Sequence, residues 1–75
     1  MRVWIVHGTG VEAVGDIYGV YDSEHPAIAC AKEWHSKTAF YDNVSISVWD
    51  VNGSEIAQGD IEDVLTVQRI LRGEK

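Results

Sequence analysis

The apolar positions fall into short blocks whose spacing changes along the chain, and each change marks a new element. Residues 2–7, RVWIVH, hold an unbroken run of Val3, Trp4, Ile5 and Val6. Such a run predicts a central strand, or one covered on both faces. GTGVEAVG follows as a glycine-rich loop. Residues 16–22, DIYGVYD, predict a second strand antiparallel to the first. Gly19 inside it signals a bulge or a close backbone approach. Strand alternation puts Tyr18 and Tyr21 on opposite faces, leaving at least one exposed.

The period then lengthens. Ala27, Cys30, Ala31 and Trp34 recur at i, i+3, i+4 and i+7, which predicts a helix over 24–36 with these residues on the sheet. Asp22 or Ser23 serves as N-cap, and Pro26 fits the first turn alone. Small residues permit close packing, with Trp34 supplying most of the buried area. Phe40 and Tyr41 close one end of the core.

Residues 44–51, VSISVWDV, return to a period of two. Val44, Ile46 and Val48 form a buried face, while Ser45, Ser47 and Trp49 form a wet one. Asn52-Gly53 predicts a type I′ hairpin turn and a return strand over 54–58. The last segment, GDIEDVLTVQRILRGEK, predicts a helix with Asp60 as N-cap, Glu62 and Asp63 in the first turn, and Gly73 as the stop. Arg69 and Arg72 toward its end complement the helix dipole. Val64, Thr66 and Val67 make a strand the competing assignment over 60–72. The predicted fold class is α+β: a small antiparallel sheet with two helices packed on it, in the order β-β-α-β-β-α.

The 75 residues predict a single domain, 1–75. A domain of this size buries only about 60% of its unfolded surface. Cys30 is alone, so no internal disulfide assists, and it reads as a small buried apolar residue suited to a reducing cytoplasm. The opening MRVWIVHG is too short in its apolar run for a signal sequence or a membrane span. It predicts a soluble chain beginning at its own methionine.

Tests for chemistry return little. HGTG at 7–10 lacks both the G-x-G-x-x-G spacing and the G-K-[ST] ending of phosphate loops. His7, His25 and His35 are spaced wrongly for helical metal ligands. Ser36 beside His35 points about 100° away on a helix, and Cys30 is out of register with it. DVNGSEIAQGDIE breaks the calcium-loop pattern at Gly53. No catalytic, cofactor or metal set is predicted, and helix capping accounts for Asp60 and Asp63.

Charge layout is more informative. Twelve acids oppose six bases, for a net charge of −6. This balance argues against direct binding of nucleic acid or an anionic membrane. From Val3 to Ala31 stand Glu12, Asp16, Asp22 and Glu24 without a base. From Thr38 to Gln68 stand Asp42, Asp50, Glu55, Asp60, Glu62 and Asp63, again without a base. Carboxylates on neighbouring strand or helix positions are spaced about 5–7 Å apart, of the order of successive nucleic-acid phosphates. Such a surface can enter a groove lined with lysine and arginine. The candidate partner-binding residues are therefore Asp42, Trp49, Asp50, Glu55, Asp60, Glu62 and Asp63. Trp49 joins them because exposed tryptophans are enriched at interface hot spots.

In size, in segregated acids such as EIAQGDIED, and in lacking a catalytic set, the chain resembles the small acidic anti-CRISPR inhibitor proteins of bacteriophages and mobile elements. That group shares no diagnostic motif, so no site transfers residue by residue. The resemblance implies a monomeric, non-enzymatic inhibitor without a cofactor, acting in the host bacterial cytoplasm. It would cover the DNA-binding surface of a CRISPR–Cas effector, with a type I complex preferred, and block target DNA. The rivals are an antitoxin-like or regulatory module with a non-nucleic-acid-competing interface, an enzyme or small-molecule binder with a pocket where His7, Tyr18 or Tyr21, and an acid converge, and a self-associating structural accessory protein.

Overall fold

The computed structural model describes residues 1–10, 15–38, 42–53 and 55–73. The elements are β1 (Arg2–Thr9), β2 (Ile17–Tyr21), α1 (Glu24–His35), β3 (Asn43–Asp50), β4 (Glu55–Gly59) and α2 (Ile61–Leu71). The strands form one antiparallel sheet in the order β2-β1-β3-β4. The predicted α+β architecture is the one observed. The closing segment is helix rather than strand, because Asp60 caps it and Val64 and Gln68 bury one face. Phe40 and Tyr41 lie outside the described residues, as does residue 54 of the return strand.

The register sorts side chains to two faces. Trp4 pairs with Val48, Val6 with Ile46 and Gly8 with Val44. These residues, with Ala57, meet Ala27 and Ala31 of α1 and Val64 of α2 in one buried cluster. Both helices therefore cover the same side of the sheet. α1 lies across β2, β1 and β3, and α2 lies across β3 and β4. An ion pair between Arg72 and Glu24, 3.1 Å, ties the end of α2 to the start of α1.

Trp34 corrects the sequence reading. It is 37% exposed, and Trp4 is the buried tryptophan. Ala27 and Ala31 bring α1 down onto the strands, while Trp34 reaches over β2 and stacks on Tyr18. Both edge strands also carry a bulge. On β2 the register slips opposite Val6 and His7, leaving Tyr18 as the extra residue. On β4 it slips opposite Val48 and Trp49, leaving Ile56. Each extra residue turns toward the core, so Tyr18 and Tyr21 both pack against it rather than on opposite faces. Gly19 answers to the predicted bulge rather than to a close backbone approach, because its near neighbour is a side chain. It adjoins the bulge, and a Cβ there would lie 2.7 Å from the Tyr21 ring.

The hairpin after β3 also differs in detail. The Gly53 N–H donates to the Asp50 carbonyl at 2.9 Å, so Val51 and Asn52 are the central residues. Asn52 alone has positive φ, 66°, whereas a type I′ turn needs it at both central positions. The pattern matches a type II turn, with Asn52 in the place usually held by glycine.

Candidate protein-interaction surface

The face of the sheet away from the helices carries the alternate positions. From β1 come Val3, Ile5 and His7, which pair with Trp49, Ser47 and Ser45 of β3. From β2, Val20 pairs with Ile5 and Ile17 with His7. From β4, Glu55 pairs with Trp49 and Gln58 with Ser47. No described element covers this face. Ile17 is 66% exposed, Val20 58% and Trp49 37%. The apolar run in β1 thus lies on a central strand, but only one of its faces is covered. Two helices on one side leave Val3 and Ile5 to the other.

Polar groups punctuate this apolar field. The His7 imidazole Nε2 and the Ser47 hydroxyl share a hydrogen bond of 2.8 Å across the strands. The sequence reading missed this pair because the residues are 40 apart and only the β1–β3 register joins them. Ser47 is 6% exposed. A nucleophile must be reachable by its substrate, so the bond is better suited to satisfying a buried hydroxyl than to catalysis. At the β4 edge the Gln58 amide nitrogen, in its hydrogen-bonded orientation, donates to both Glu55 carboxylate oxygens at 3.2 Å. This holds the Glu55 charge on the open side, next to Trp49.

The six predicted acids do not form a single row. Asp50 and Glu55 stand where β3 ends and β4 begins. Asp42, Asp60, Glu62 and Asp63 stand at the opposite end, where β3 begins and α2 starts. Asp42 and Asp50 are eight residue steps apart along β3, roughly 26 Å at strand rise. Asp50 faces Arg2 at 3.9 Å. Asp60 acts as the predicted N-cap, its carboxylate accepting from the Asp63 N–H at 3.1 Å. Asp60 and Glu62 also share a solvent-open cleft of about 480 Å³ with Lys32 and His35 of α1. Charge there is mixed in sign.

The open face is different. The described bases Lys32, Lys37, Arg69 and Arg72 all belong to the helices or their ends, and Arg2 sits at the sheet end beside Asp50. Among the described residues, no lysine or arginine lies on the open face. Asp16, just before β2, acts on the core side. With Asp42 it holds the Tyr18 hydroxyl above its ordinary value, after the larger effect of burial. Tyr21 is likewise raised, first by a hydrogen bond with the Cys30 side chain, then by burial and the nearby Cys30 and Glu33.

Ile17, Val20, Val3 and Ile5 are the surface residues that the sequence reading did not single out. The available signal was the continuous apolar run of β1, which needs two partners while the predicted helices can both occupy one side. Among the described residues no group of three or more His, Cys, Asp or Glu is placed to hold a metal ion. No described helix is long and apolar enough to cross a membrane. Comparison with protein-family models, curated proteins and solved structures finds no match.

Proposed function

We propose that this chain is a non-enzymatic inhibitor that acts by covering a basic surface on another protein. The observation that carries the reading is the charge segregation in three dimensions: bases on the helical side, and none on the described open face. The partner class suggested by size and charge is a CRISPR–Cas effector, type I preferred, with the covered surface being its path for target DNA. Acids at both ends of the sheet would meet lysines and arginines along that path, steering association and making its rate salt-dependent. The test is competition for target DNA on a purified type I effector. The chain should displace DNA at near-stoichiometric amounts, and reversing Asp50, Glu55 and Glu62 to lysine should remove the effect. Undiminished DNA binding in the presence of excess chain would rule out this function.

A second reading is an antitoxin-like or regulatory module whose interface does not compete with nucleic acid. It is favoured by the apolar centre of the open face, since Ile17 and Val20 have no counterpart in a phosphate backbone. It predicts a tight complex with one cognate protein whose nucleic-acid binding is unaffected.

A further inference from the structure

The open sheet face and the helix-start acids make different demands on a partner. Asp60 and Glu62 share their cleft with Lys32 and His35, so that end offers mixed charge. The open face offers Ile17, Val20 and Trp49, all exposed, over the half-buried Val3 and Ile5. Its β4 edge carries Glu55, held by Gln58 beside Trp49. A large exposed apolar field with a polar rim is the usual form of a protein interface.

Resting on the reading of the chain as a binder of a basic protein, we infer that the open sheet face is the docking surface, with Ile17, Val20 and Trp49 as its apolar centre. Its occupant is a different protein whose matching patch is apolar at the centre and rimmed by lysine or arginine. Charge complementarity selects this occupant. A second copy would set Glu55 against a face that, among the described residues, offers no lysine or arginine to meet its carboxylate. A nucleic acid would add its own negative charge and leave the apolar centre unmatched. Edge-to-edge pairing with another sheet is disfavoured, because β2 and β4 both carry bulges. Burial of the apolar centre gives the complex a component that salt does not screen, in addition to the salt-dependent rim.

The experiment places a photocrosslinking amino acid at position 20 or, as a control, at position 70, another exposed apolar site that lies on α2. The full chain is expressed in bacteria carrying a type I effector, and crosslinked peptides are identified by mass spectrometry. The expected result is crosslinking from position 20 to a lysine- or arginine-rich segment of another protein, and little from position 70. Adding Ile17→Ser should lower the yield from position 20 about tenfold, as expected for a hot-spot truncation, while circular dichroism shows the fold retained. Silence at position 20, or crosslinks from it only to a second copy of the chain, overturns the docking surface. Crosslinks to a protein that does not bind DNA leave the docking surface standing and overturn the proposed function instead.

Discussion

The Tyr18 ring lies flat against the Trp34 ring, with centroids 4.1 Å apart and planes 5° apart. One is the bulge residue of an edge strand and the other sits in the last turn of α1. The Lys37 ammonium stands 5.6 Å from the centre of the indole. A double-mutant cycle on Tyr18→Ala and Trp34→Ala in denaturant should return a coupling of about 0.5–1.5 kcal/mol. A coupling near zero would show that the stack does not anchor α1 to β2.

The same contact sets an alkaline limit. Burial, then Asp16 and Asp42, hold the Tyr18 phenol above its ordinary value of 10.0. The folded chain therefore keeps the phenolic proton more tightly than the unfolded chain. This contribution is complete below pH 10.0 and is lost as pH rises through the higher folded-state value. Tyr18→Phe should flatten the fall in melting temperature over that range. Equal slopes in both proteins would count against the assignment.

Gly59 adopts φ 157°, and a Cβ there would lie 3.1 Å from both Cβ and Oδ2 of Asp63. It joins β4 to the capped start of α2. Gly59→Ala combines backbone strain with this crowding and should destabilise the fold by about 1–3 kcal/mol. Chemical denaturation would measure it, and an unchanged midpoint would show that the α2 start can shift without cost.

Asp60 offers a way to separate capping from charge. Its carboxylate accepts from the Asp63 N–H. Asp60→Asn keeps a side-chain acceptor and should leave stability nearly unchanged, whereas Asp60→Ala should cost about 1 kcal/mol. If both variants lower partner binding equally, the charge is what the partner reads. If only Asp60→Ala lowers it, the acid matters to binding through the helix it starts.

Gln68 is 1% exposed, and its amide nitrogen has no hydrogen-bond partner among the described residues. Replacement by an apolar side chain of similar shape removes that desolvation cost. Gln68→Met should raise stability by about 1 kcal/mol or more, read from the denaturation midpoint. A loss of stability would show that the amide finds a partner in solution.

Local patterns carried most of the fold. The alternation of Val44, Ile46 and Val48 specified β3 and its buried face. The spacing of Ala27 and Ala31 specified α1, and Asp60 with Gly73 bracketed α2. These signals were legible because period and capping depend on neighbours within one turn or one pleat. Trp34 was misplaced because helical spacing shows which side a residue faces, not whether the sheet extends beneath it. Tyr18 was misread because a bulge is a property of two paired strands, and alternation within one strand cannot reveal it.

The candidate surface was less legible. Charge segregation is visible in the linear order of acids and bases, and it pointed to a basic partner. Yet chain order alone could not place those acids in space. Asp42 and Asp50 are neighbours in the list of acids but stand at opposite ends of one strand. The pairing of His7 with Ser47, and the gathering of Ile17, Val20, Val3, Ile5 and Trp49 on one open face, arise from the β2-β1-β3-β4 order and from both helices choosing the same side. Composition and periodicity determined which elements form and the net sign of the surface, because both are sums over local residues. The tertiary structure alone decided which residues share a face, because strand register and helix placement are set by long-range packing that no local window contains.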